Sequence, residues 1–130
     1  MKSKFNNHTE QKIEILEEYI HVKVSGIITT GSSVENFLNI SRIVEKTGKN
    51  KLLLESQFEN TLSIDQTYQV FEELKELNIK TLFEVKTAFL PVIDQFEYYV
   101  QYTDALTSQN ILAKAFKEKE IALDWLLIKT

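Results

Sequence analysis

Cysteine is absent from this 130-residue chain. That one absence removes thiolate catalysis, thiolate-bound metals and a disulfide framework together. Glycine and proline are scarce, at three and one residues, and the glycines form no clustered loop of the kind that cradles a phosphate. Histidine is limited to His8, in a polar N-terminal stretch, and His21, on the polar phase of a strand-like run. A catalytic role for either needs a carboxylate and a nucleophile within hydrogen-bond reach, and nothing in the spacing brings such groups together. The expectation is therefore a chain with no catalytic residue, no bound metal and no cofactor.

Long hydrophobic runs are missing too. The densest, Lys51–Leu54 and Ala88–Ile93, fall far short of the ~20 residues that span a bilayer. Lys2 and Lys4 lead into the polar Asn6, Asn7 and His8 where a signal peptide needs an apolar core, which makes the cytoplasm the default compartment. Basic charge is in deficit, with 15 Lys and Arg against 19 Asp and Glu and a net charge of -4, so nucleic acid is not an expected partner.

What is present is an ordinary globular composition, 43% hydrophobic and 26% charged, at a length that suits one domain. A chain of this size buries roughly two-thirds of its unfolded surface and needs no metal or disulfide for stability. No linker or composition shift divides it, so a mobile tail over 1–11 followed by a single domain over 12–130 is expected.

Along the chain, helix-start signals keep following short apolar strands. Residues 12–17 and 19–28 alternate apolar and polar side chains and predict a hairpin turning at Glu17 and Glu18. Ser32 with Glu35 reads as a capping box opening a helix through Phe37, Ile40 and Val44, which Gly48 ends. Leu52, Leu53 and Leu54 form a strand buried on both faces. Ser63 with Gln66 is a second capping box, followed by the stripe Ile64, Tyr68, Phe71, Leu74 and Leu77 and a stop at Asn78. Thr81–Lys86 is the next predicted strand, a helix is expected to start near Pro91 and run to Leu106, and Ile111–Phe116 is the last strand. The closing helix carries Ile121, Ala122, Trp125, Leu126 and Ile128, with Trp125 as its expected anchor. The fold class predicted is single-domain α/β, with a mixed, mostly parallel sheet of about five strands and about four helices.

The segment Lys114-Ala115-Phe116-Lys117-Glu118-Lys119-Glu120-Ile121-Ala122-Leu123-Asp124-Trp125-Leu126 resembles the closing strand and helix of the SpoIIAA-like family, also called STAS/SEC14-like, where a strand ending in Phe leads into an acidic helix start and an Ala-Leu-x-Trp-Leu ending. The order of elements agrees with that family from Ile13 to Leu127. The resemblance implies a small bacterial domain related in fold to anti-sigma-factor antagonists and to lipid-binding SEC14 domains. In the antagonists a Ser within Asp-Ser-x-Gly, at the start of the helix after the central strand, is phosphorylated and controls a kinase partner. Here Glu55 to Asp65 carries no such motif, although Ser63 remains a hydroxyl at a helix N-terminus, where its ordinary role is that of an N-cap.

Two binding regions follow. Ser56, Asn60, Thr61 and Ser63, around the start of that helix, are the residues through which a protein partner would act. Phe89, Phe96, Tyr98, Tyr99 and Tyr102 place more aromatic surface on one segment than a single buried face holds, which suits a lipid or other apolar ligand, or a homodimer interface. Glu55 and Glu84 stand near or within core strands, where burial could make an acid or base; both read as solvated strand ends, which leaves an enzymatic role a remote third reading. The leading expectation is a non-enzymatic module that binds a protein partner near Ser63, the alternative an apolar-ligand domain.

Overall fold

The computed structural model describes residues 9–77 and 84–128. Their elements run β1 (Thr9–Ile15), β2 (Ile20–Gly26), α1 (Thr30–Thr47), β3 (Lys51–Phe58), α2 (Ile64–Glu76), β4 (Lys86–Pro91), a 3-10 turn (Ile93–Gln95), α3 (Phe96–Ser108), β5 (Leu112–Ala115) and α4 (Lys119–Leu126). The strands lie side by side in chain order, β1-β2-β3-β4-β5, with β1 antiparallel to β2 and the other neighbours parallel. The architecture is thus the expected single-domain α/β fold with a mixed, mostly parallel sheet.

Each parallel crossover steps to the adjacent strand in the same direction. A uniform right-handed connection then puts α1, α2 and α3 on one face of the sheet. The main core agrees, combining Val22 and Val24 of β2, Leu52 and Leu54 of β3 and Phe89 of β4 with Ile40, Val70, Phe71, Tyr99 and Leu106 of the three helices. The opposite face holds a smaller core of Leu53, Ala88, Phe116, Ala122 and Leu126, covered by α4.

Local chemistry explains most boundaries. The β1–β2 hairpin turns at Glu17 and Glu18, closed by a 2.9 Å bond from Leu16 N–H to the Tyr19 carbonyl, and β1 begins at Thr9, three residues ahead of the predicted strand. Residues 1–8 and the expected stop at Asn78 lie outside the described residues. Gly48 ends α1 at φ 72°, its N–H reaching the Val44 carbonyl at 2.8 Å, as a left-handed C-cap does. The Ser63–Gln66 capping box is present in both directions, at 2.9 and 3.1 Å.

Five expectations are corrected. The box that opens α1 pairs Thr29 with Ser32, not Ser32 with Glu35, because the Ser32 hydroxyl turns back to accept from Thr29 N–H at 2.9 Å. The stripe of α2 that meets the core is Thr67, Val70, Phe71 and Leu74, while Ile64, Tyr68 and Leu77 are exposed. The described strand after α2 is Lys86–Pro91; of the predicted Thr81–Lys86, Thr81 to Phe83 lie outside the described residues, and Glu84 and Val85 are not in a strand. Pro91 therefore ends β4 and starts no helix, and the helical turn of α3 begins at Phe96. Trp125 does not anchor α4: it is half-buried against Phe116, with ring centroids 5.5 Å apart, whereas Ala122 and Leu126 are fully buried.

Candidate functional site

The carboxyl ends of parallel strands are where open α/β sheets usually bind ligands. Here that edge is clamped by short polar contacts. Asn60 accepts from Ile28 N–H at 2.8 Å and donates to the Ile28 carbonyl at 3.0 Å, tying the loop after β3 to the loop after β2. The Gln95 amide donates to the Phe58 carbonyl at 2.8 Å, and Val92 N–H to the Ser56 carbonyl at 3.1 Å.

These contacts sort the residues expected to meet a partner. Ser56 is fully buried, and its hydroxyl lies 2.7 Å from the Tyr99 hydroxyl, so it faces the core and not the surface. Asn60 is committed to Ile28. Thr61 and Ser63 are exposed, and Ile64 and Tyr68 beside them are 38% and 40% exposed.

The aromatic set divides as well. Phe89 belongs to β4, not to the aromatic helix, and it stacks on Tyr99 at 5.9 Å and meets Tyr102 edge-on at 5.5 Å. Tyr98 packs edge-on against Tyr99 at 5.0 Å, and its hydroxyl lies 3.3 Å from that of Thr67 on α2. Tyr102 is buried between Phe89 and Phe71, its ring centroid 6.3 Å from that of Phe71. Phe96 packs at the margin of the main core, outside the cavity lining, under the Lys117 ammonium 4.9 Å from its centroid.

Burial governs the phenols. It pushes the Tyr99 hydroxyl up to about 12, against a smaller downward pull from the Ser56 hydrogen bond. Tyr102 is raised well above the ordinary tyrosine value by burial, with Tyr99 and Tyr98 adding to it. Tyr98 is raised by burial as well, partly offset by its bonds to Thr67 and the Leu62 backbone. All three stay protonated in neutral solution and act as neutral hydroxyls.

Between α1, α3 and the sheet these rings leave a cavity of about 40 Å³. Its apolar wall is drawn from Val24, Leu54, Phe58, Leu62 and Phe89 below and Phe37 and Ile40 of α1 above. Polar atoms enter from Ser33 and Asn36 of α1 and from Tyr98, Tyr99 and Tyr102 of α3. A second cavity of about 30 Å³ adjoins it beneath α2 and α3, sharing Phe37, Leu54 and Phe89 as a common wall.

No protein-family model and no curated protein matches the sequence. The three-dimensional structure does find a counterpart. A crystal structure of an uncharacterized protein from the DUF3478 family with a SpoIIAA-like fold, from Shewanella loihica PV-4, superimposes with a TM-score of 0.57 over 97% of this chain and 98% of that one, at 21% identity. The fold is SpoIIAA-like. At that identity the likeness speaks for the backbone architecture, so the chemistry of this SpoIIAA-like domain rests on its own side chains.

Two features of it were not read from the sequence. Ser33 and Asn36 lie on the sheet-facing side of α1, and the signal was available: they fall in the same stripe as Phe37, Ile40 and Val44, where a polar residue stands out. On the opposite face, His21 is only 13% exposed, with Nε2 2.8 Å from Glu55 Oε1 and Nδ1 3.9 Å from Glu14 Oε1. Glu55 is thus mid-strand in β3 and paired across to β2, not a solvated strand end. Glu84 is exposed, as expected. Among the described residues no group of three or more His, Asp or Glu is placed to hold a metal, and no helix is long and apolar enough to cross a membrane.

Proposed function

We propose that the protein is a binding module and not an enzyme, and that it holds a small apolar molecule between α1, α3 and the sheet. One observation carries this reading: the interior between α1, α3 and the sheet leaves space lined by Phe37, Phe58, Phe89 and three tyrosines, where protein cores are ordinarily filled. At about 40 Å³ the cavity has room for about three waters, so a larger guest enters by displacing Phe37 or Tyr98, both half-buried at its margin. Native mass spectrometry of the purified protein, with organic extraction, tests it. A bound mass released into the organic phase is the expected result; protein that carries nothing and binds no alkyl probe would overturn the reading.

A second reading is supported by the exposed first turns of α2. Thr61, Ser63, Ile64 and Tyr68 present hydroxyls and apolar surface together, at the edge the Asn60 clamp holds rigid, and suit a protein partner. Capture from native lysate, compared with an Ile64→Asp, Tyr68→Ala double variant, checks it: equal recovery with both proteins rejects the site.

A further inference from the structure

We infer that a groove at the amino ends of β3, β4 and β5 binds a small organic monoanion, a carboxylate with a short apolar tail, through Lys51 and Lys86. This groove shares no residue with the cavity between α1, α3 and the sheet, so the two sites stand or fall separately.

Space comes first. The groove measures about 340 Å³, and Lys51, Lys86, Asn50 and Asn110 line it together with Val85 and Leu112. Small-molecule pockets run from about 300 to 1,000 Å³, so a small ligand fits here without displacing any side chain.

The charge of the ligand follows from the sheet register. Lys51 and Lys86 are direct partners in the parallel β3–β4 ladder, so both side chains leave the same face of the sheet from strands about 4.8 Å apart. Like charges placed directly opposite each other destabilise a sheet. Both lysines are half-buried, and among the described residues no carboxylate forms a salt bridge with either. The Lys86 ammonium is already fixed, donating to the Trp125 carbonyl at 2.6 Å and lying 4.4 Å from the centre of the Trp125 ring. An ammonium has three donors, so two remain for a ligand. A carboxylate between the lysines turns their repulsion into two charge-assisted hydrogen bonds.

The lining also limits the ligand to one negative charge. Glu84 is exposed and borders the same groove, and α1 and α3 end at Thr47 and Ser108, just ahead of Asn50 and Asn110 in the chain. A carboxylate and the negative ends of two helices oppose a second negative charge. The usual means of holding a phosphate are missing from the lining, which includes no Arg, no Gly and no helix N-terminus. Val85 is the buried apolar floor and Leu112, 54% exposed, the apolar rim, and they suit a short hydrocarbon tail.

The test is a titration of the full chain with butyrate, 1-butanol and inorganic phosphate at fixed ionic strength, followed by NMR amide shifts. Butyrate should move the amides of Lys51, Lys86 and Leu112 along one saturating curve, and the other two should bind at least about tenfold more weakly. Lys51→Gln should weaken butyrate about tenfold, the loss of one charge-assisted bond. Its thermal midpoint without ligand should equal or exceed that of the wild type, because one of two facing ammoniums is gone. Lys51→Arg, which keeps the charge, should restore most of the affinity. Should Lys51→Gln fail to fold, the wild-type comparison of butyrate with 1-butanol decides. No saturating shift with butyrate, phosphate bound as tightly as butyrate, or unchanged binding by Lys51→Gln overturns the inference. Butyrate shifts centred on Phe89 and Tyr99 overturn it too, and support the inner cavity instead.

Discussion

Ser56 Oγ and Tyr99 OH lie 2.7 Å apart in the core, joining the central strand β3 to α3 across 43 residues of sequence. Neither hydroxyl meets bulk water, so each is the other's means of satisfying a buried polar atom. Tyr99→Phe strands the Ser56 hydroxyl and should cost about 1–3 kcal/mol in urea unfolding. Adding Ser56→Ala to that variant should cost less than the two single changes summed, since the second change removes a group already orphaned. Strict additivity would contradict the pairing.

Alkaline unfolding gives a second check. The Tyr99 hydroxyl titrates in the folded state at about 12 instead of 10.0, and Tyr102 is raised as well. A raised folded value means that the stability linked to the protonated phenol is fully present below pH 10.0 and lost as pH climbs through the folded value. Stability should therefore be flat up to about pH 9 and then fall by about 1.4 kcal/mol per pH unit for each such tyrosine as the unfolded chain ionises first. Tyrosinate absorbance that rises only with loss of the folded circular-dichroism signal is the expected companion; free ionisation of Tyr99 near 10.0 in the folded state would refute the burial argument.

Asn60 has become a structural residue. Its two bonds to the Ile28 backbone hold adjacent loops together, so Asn60→Ala should destabilise by about 1–3 kcal/mol and speed hydrogen exchange at the Ile28 amide. Asn60→Asp keeps the acceptor and loses the donor, and should fall between wild type and Asn60→Ala. Unchanged exchange at Ile28 in the alanine variant would show that the clamp is not needed.

On the far face, Leu126 should matter more than its neighbours. Fully buried, it should cost about 2–5 kcal/mol on truncation to Ala, whereas Ile121, 52% exposed, should change stability by under about 0.5 kcal/mol. Trp125→Ala should lie between them, because the ring packs on Phe116 and holds the Lys86 ammonium 4.4 Å above its centroid. Chemical denaturation of the three variants ranks them directly.

The alternating rhythm of the fold was legible because its punctuation is local: a reciprocal Ser63–Gln66 cap, a left-handed Gly48 and a hairpin around Glu17 and Glu18 each act within a few residues. What was misread depends on partners far away in sequence. Thr81–Lys86 alternates as a half-buried strand should, but β4 is Lys86–Pro91, which is enclosed on both faces by α3 and α4 and so shows no alternation. Tyr102 has the period of a helix flank, yet Phe71 of α2 closes that flank and makes it core. The aromatic segment was singled out, while the cavity beside it was hidden because much of its wall comes from α1 and β2. Ser56 looked accessible because β3 was read only as far as Leu54, whereas it runs on to Phe58 and turns Ser56 inward to Tyr99.

Strands laid side by side in the order they occur along the chain mean that every new strand finds its neighbour already in place, with one helix to close over each step. Assembly can therefore advance unit by unit from the β1–β2 hairpin, without a late strand having to wedge between two earlier ones, and each closure spans only one crossover. α4 is the exception: it caps the reverse side only after β3 and β4 are both present, so until it docks the growing sheet shows Leu53 and Ala88 to water and to any chaperone nearby.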